Sequence, residues 1–95
     1  MKMKTKEELL ILLKKRFPDC WFKEGQEFAP DYHTAIWSGS DSEIKGKPLL
    51  DAYSSSPVYI LEVHRDMNRF LERHGWYAEL YDVGTVFFFP NSVTK

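Results

Sequence analysis

Ninety-five residues suffice for one hydrophobic core and are too few for two, so residues 1–95 are read as a single domain. Apolar residues make up 43% of the chain, and three Trp, five Tyr and seven Phe supply large units of buried area, which excludes a wholly disordered chain. The net charge of −1 gives little of the long-range field that non-specific nucleic-acid binding uses, although residues 1–23 carry seven Lys or Arg against three acids, leaving −5 for the remainder.

The opening residues Met1 to Lys6 are basic, but no long apolar run follows, and Leu9 to Leu13 is far too short to span a bilayer. Neither a signal peptide nor a membrane segment is expected. Thr5 followed by Glu8 matches a capping box, in which hydroxyl and carboxylate each satisfy a first-turn amide. A helix is predicted from there, with Leu9, Leu10, Leu13 and Phe17 on one side and Lys14, Lys15 and Arg16 near its carbonyl end, until Pro18 stops it.

Cys20 to Lys23 and Tyr32 to Ser38 are rich in aromatic and β-branched residues and are predicted as strands. Cys20 is also the only cysteine, so no internal disulfide forms, and a reducing, cytoplasmic setting is expected for so small a domain. Residues 38–48 hold many turn formers and little apolar content, the pattern of an irregular, mobile loop. Leu49 to Tyr53 reads as a short strand and Ser54 to Pro57 as a turn.

Val58 to Val63 alternates as a strand does, and the pattern turns helical near His64. From Arg65 onward Met67, Phe70, Leu71 and His74 form an apolar stripe, closed by Gly75 as the left-handed residue after a helix. Trp76 to Tyr81 and Thr85 to Phe89 then form a terminal hairpin. A three-residue loop, Asp82 to Gly84 with Gly84 as a bulge, places Trp76, Ala78, Leu80, Val86 and Phe88 on one face. A two-residue loop of Val83 and Gly84 flips the second strand relative to the first. The three-residue loop is favoured, because Val fits a positive φ poorly.

The pieces assemble most economically as an α+β fold, a small single-layer antiparallel or mixed sheet with two helices packed on one face, in the order α-β-β-(β)-β-α-β-β.

Few residues fall into a pattern that carries chemistry. His33, His64 and His74 lack the spacing of a helical ligand pair, and only one thiol is available, so no metal is expected. His64 and His74 are read instead as a helix cap and as the end of the apolar stripe. Cys20 lies in no nucleophile signature, and Asp51, Glu62, Asp66, Glu79 and Asp82 are not brought together by linear spacing. The phosphate-cradling and nucleophile-elbow motifs are missing, so no cofactor and no catalytic residue is assigned.

Two features remain as candidate binding residues. Arg65, Arg69 and Arg73 recur every fourth residue along one side of the second helix, suited to phosphates or an acidic partner, although a solvated helix side is the ordinary explanation. On the hairpin, Tyr77, Tyr81, Phe87 and Phe89 gather on the face away from Trp76, too much aromatic surface to leave in water unless a second layer covers it.

The leading expectation is a non-catalytic protein-binding module, a regulator or inhibitor working through that aromatic face and self-associating as a dimer, with the basic first helix and the Arg65 row adding charge complementarity, of the kind a phage or mobile element carries against a host defence complex. The alternative is a nucleotide or nucleic-acid binding domain with bases on the hairpin aromatics, phosphates on the arginine row, and residues 38–48 as a lid.

Overall fold

The computed structural model describes residues 4–51 and 53–91. Part of the basic start, Met1 to Met3, and Ala52 of the short strand expected at residues 49–53 lie outside them. None of the described helices is long and apolar enough to cross a membrane.

The first helix, α1 (Lys6–Arg16), begins at the expected capping box: Glu8 N–H donates to Thr5 Oγ1 at 3.2 Å, and Thr5 N–H donates to Glu8 Oε1 at 3.0 Å. Its buried residues Leu9 and Leu13 continue into Phe17, whose ring packs edge-on against Phe70 of the second helix, α2 (Arg65–Arg73), at 5.3 Å. At the head of α2, His64 Nδ1 accepts from Asp66 N–H at 3.1 Å, and Gly75 lies at φ 80° just past its end.

Between and after the helices run eight short strands. These are β1 (Lys23–Glu24), β2 (Ile36–Gly39), β3 (Glu43–Ile44), β4 (Lys47–Pro48), β5 (Tyr59–Ile60), β6 (Val63–His64), β7 (Trp76–Asp82) and β8 (Thr85–Pro90). Four form one antiparallel sheet in the order β1-β2-β8-β7, and β3–β4 and β5–β6 are separate hairpins. This is the expected α+β architecture, with both helices contributing to a core on one face of the sheet. That core joins Leu9, Leu13, Phe17, Met67, Phe70 and Leu71 to Ile36, Trp76, Val86 and Phe88.

Several stretches depart from the sequence reading, among them Leu49 to Tyr53, of whose described residues only Leu50 forms a bridge, to Val63. Of Cys20 to Lys23 only Lys23 pairs in the sheet, and of Tyr32 to Ser38 pairing starts at Ile36, because Gly25–Glu27 and Pro30–Tyr32 are 3-10 turns that carry the chain over the sheet first. Val58 to Val63 is no continuous strand. It folds back at Leu61 and Glu62, with φ of 52° and 70°, and Asn68 Nδ2 from α2 donates to the carbonyls of Ile60 and Val63, holding the turn closed.

Residues 38–48, expected to be irregular and unburied, contain the end of β2 and the β3–β4 hairpin. Ile44 enters the core, and Ser38 and Ser42 are wholly buried. Burial of these two polar side chains is satisfied locally: their hydroxyls lie 3.1 Å apart, Ser38 Oγ donates to Trp21 O, and Trp21 N–H donates to Ser42 Oγ.

The terminal hairpin turns on two residues, Val83 and Gly84, rather than three, with Asp82 opposite Thr85. Gly84 is not at positive φ, so it is not the left-handed bulge glycine expected. Instead its N–H donates to Asp82 Oδ1 at 2.9 Å, and the extra residue is taken up as a bulge at Tyr81. The bulge restores the register that a two-residue loop alone would flip. Leu80 still faces Val86, Ala78 faces Phe88 and Tyr77 faces Phe89, so both faces carry the expected residues.

Candidate functional site

The face of the sheet opposite the helices is aromatic across three strands. Trp37 of β2 pairs with Phe87 of β8, Phe87 with Glu79 of β7, and Phe89 with Tyr77. Onto this face the two 3-10 turns fold a partial second layer. Tyr32 stacks on Phe87 with centroids 4.2 Å apart and planes 5° from parallel, and Phe28 meets Phe87, Trp37 and Tyr81 edge-on, each at 5.2 Å.

Phe87 is therefore core, only 2% exposed, and it leaves the set of candidate contact residues. The reason is the cover supplied by Phe28 and Tyr32, which the hairpin's own pattern does not reveal. Phe89 is half-buried between Phe87 and Tyr77, while Tyr77 and Tyr81 remain 45% and 53% exposed. Phe28 is itself 37% exposed. Tyr32, Glu79, Leu80, Tyr81, Phe87 and Phe89 border a shallow depression of about 200 Å³ on this side.

The ring array continues past Trp37, whose indole meets Trp21 edge-on at 5.2 Å, with Lys23 Nζ 5.6 Å from both rings. Asp41 fixes Trp21 by accepting from its Nε1 at 2.6 Å. Phe28, Tyr32 and Trp37 were thus missing from the sequence reading of this face. The period-2 partner of Phe87 across β2 was the available signal for Trp37; the other two reach the face from irregular chain.

The arginine row lies elsewhere. Met67, Phe70 and Leu71 turn α2 toward the core on the helix side of the sheet, with Arg69 and Arg73 exposed and Arg65 half-buried on its outer sides. Arg73 rests over the Phe70 ring at 5.9 Å, and none of the three arginines has a carboxylate within ion-pair distance among the described residues. The sheet separates the row from Tyr77 and Tyr81, so the two sets do not converge on one site. The β3–β4 hairpin likewise sits beside α2, tied by Lys45 Nζ to Asp66 at 3.3 Å, rather than over the aromatic face.

Cys20, His64 and His74 are held in structural contacts. Burial pushes the Cys20 thiol up to about 11, with the Asp19 charge adding to the rise, and its Sγ lies 3.3 Å from Glu43 O as a donor. His64 caps α2 and meets Tyr59 edge-on, and His74 packs against Phe70 at 4.7 Å. Among the described residues, no three His, Cys, Asp or Glu side chains are grouped to hold a metal ion. A second depression, of about 350 Å³, is lined by Lys4, Thr5, Lys6, His33, Thr34, Trp76 and Pro90, and Lys6 there is engaged by Glu24 Oε1 and His33 O, each at 2.7 Å.

Comparison with protein-family models, with curated proteins and with solved structures finds no match for this chain.

Proposed function

We propose that the chain is a non-catalytic protein-binding module that occupies a partner's surface with the aromatic side of its sheet. The observation that carries this reading is the exposure of Tyr77 and Tyr81 beside rings that are otherwise packed. Neighbouring rings hold both tyrosines in place, so docking them costs little side-chain entropy, and each offers apolar area with a hydroxyl at its tip. Tyrosines of this kind dominate the energetics of protein interfaces. The regulator or inhibitor role read from the sequence is of this type: it requires a surface and no reaction.

The test replaces Tyr77 and Tyr81 together by alanine. The double variant is expected to keep its circular dichroism spectrum and nearly all of its urea stability while losing the partner that wild-type protein co-purifies. Global unfolding would instead make the two tyrosines core, and a retained partner would move the interface elsewhere. Binding of single-stranded oligonucleotides at low salt, weakening steeply as salt rises, would overturn the reading in favour of nucleic acid.

A further inference from the structure

Among the described residues the sheet ends at β7, and the geometry of that edge is specific enough to name what pairs with it. Asn91 N–H donates to Gly75 O at 2.8 Å, marking Gly75 and Asn91 as a hydrogen-bonded pair. Alternation along an antiparallel ladder makes Tyr77/Phe89 and Glu79/Phe87 bonded pairs too, and turns the N–H and C=O of Trp76, Ala78 and Leu80 away from β8. Among the described residues no backbone group reaches the outward groups of Ala78 and Leu80. At one end of the edge Lys4 stands close, its N–H on His74 O and its carbonyl accepting from Trp76 Nε1; at the other end is the bulge at Tyr81. Among the described residues, the stretch without a backbone partner is thus short and centred on Ala78 and Glu79.

We infer that a second copy of this chain pairs antiparallel with β7 about a two-fold axis through Ala78, joining two four-stranded sheets into one of eight strands. The inference rests on the reading of this hairpin as the working surface, and it names one partner. The register follows from elimination. An axis at Glu79 sets two like carboxylates opposite each other in a non-bonded pair, where side chains come closest. An axis at Leu80 draws the bulged Tyr81 and Asp82 into the ladder, and one at Tyr77 runs the partner strand into Lys4. With the axis at Ala78, Ala78 meets its own copy without a clash, and Tyr77 lies beside Glu79 twice, a phenol donor next to a carboxylate acceptor. Such a contact is isologous and closes as a dimer, so the edge is consumed rather than left to propagate.

Sedimentation equilibrium of the intact chain is expected to show the mass rising from 11.2 kDa to twice that value with concentration. Ala78→Cys is expected to form a disulfide-linked dimer under mild oxidation, since Cα atoms of a bonded antiparallel pair lie about 5.5 Å apart, within bridging range. Glu79→Cys, which carries the same Cys20 background, is expected not to. Ala78→Pro removes an N–H that β8 does not use, so the variant is expected to fold and to dimerise at least tenfold more weakly. If the proline variant unfolds, the cysteine comparison decides the register unaided. A wild-type chain that stays at 11.2 kDa at all concentrations overturns the inference, as does equal cross-linking of the two cysteine variants or a folded proline variant that dimerises normally. Tyr81→Ala lies outside the paired stretch and is expected to leave the dimer intact while weakening the aromatic-face partner. A monomeric wild type therefore leaves the proposed function standing, and loss of the partner without loss of the dimer tests that function alone.

Discussion

Leu61 and Glu62 occupy the left-handed region, where an L side chain costs about 1–2 kcal/mol, and glycine would not. The turn needs positive φ at both positions, and the bonds from Asn68 to the carbonyls on either side, with Asp51 N–H on Glu62 O at 3.0 Å, keep it there. Leu61 is 85% exposed, so its side chain returns little packing for that strain. Glu62→Gly is expected to raise the free energy of unfolding by about 1 kcal/mol, part of the relief being offset by the greater freedom of glycine in the unfolded chain. A higher urea midpoint with an unchanged slope is the confirming result; a lower midpoint would show that the Glu62 side chain contributes more than its backbone costs.

His64 links residue chemistry to acid stability. Its ring is buried and its Nδ1 already accepts from Asp66 N–H, so a proton there breaks the cap. Burial lowers its pKa, the Asp66 charge opposes, and the cations of Arg65, Lys45 and Lys47 lower it further. Burial also lowers His74, helped by Lys4 and Arg73. The unfolded chain therefore takes up a proton at about pH 6.5 that the folded chain refuses until lower pH. Stability is full above that value and is lost as pH falls through the folded pKa. Urea midpoints are expected to drop as pH falls below about 6.5, and His64→Asn, a cap that does not titrate, should shallow the drop. An unchanged slope in that variant would assign the loss to His74.

At the scale of elements, the cover made by the two 3-10 turns decides which hairpin aromatics are free. Gly25 is where that cover meets the sheet: its N–H donates to Ala35 O at 2.8 Å, and a Cβ there would press on the backbone carbonyls of Tyr32 and Ala35. Backbone on both sides cannot give way as a flexible side chain does. Gly25→Ala is expected to cost about 1–3 kcal/mol and to loosen Phe28 and Tyr32 from Phe87. Phe87→Ala, by removing the ring they cover, should cost about 3–5 kcal/mol. Urea unfolding followed by tryptophan fluorescence reads both, because Trp37 lies against Phe28; a neutral Gly25→Ala would mean that the cover is loose.

The same cover marks the limit of what the sequence shows. Helix ends were legible because their signals are local: Thr5 and Glu8 satisfy each other's amides, and Gly75 supplies one left-handed residue. The faces of the terminal hairpin were legible because Tyr81 bulges and so cancels the effect of the shorter loop. Phe28 and Tyr32 reach Phe87 across more than fifty residues through chain with neither helical nor strand period, and nothing in linear spacing announces that. Ser38 and Ser42 read as loop residues because their burial depends on each other and on the Trp21 backbone. The arginine row was read at the right spacing, but which side of the sheet it occupies is a tertiary fact.

For the molecule as a whole, the sheet divides two surfaces of different character. The outer side of the helices carries Lys14, Lys15 and Arg16 at the end of α1 and the arginine row of α2, while the aromatic side carries Tyr77 and Tyr81 with Glu79 between them. The shortest principal extent is 25 Å, and charges in physiological salt are screened over about 8 Å, so the arginines exert little force on a partner docked across the sheet. Arg65→Gln, Arg69→Gln and Arg73→Gln combined are therefore expected to change affinity for a partner of the aromatic face by less than about twofold, with its salt dependence unchanged. Loss of the Arg73 contact with Phe70 should cost stability by no more than about 1 kcal/mol, because the Arg73 side chain is exposed even though the ring beneath it is buried. A tenfold loss of affinity in a folded triple variant would place the interface on α2, and the exposed tyrosines would then need another explanation.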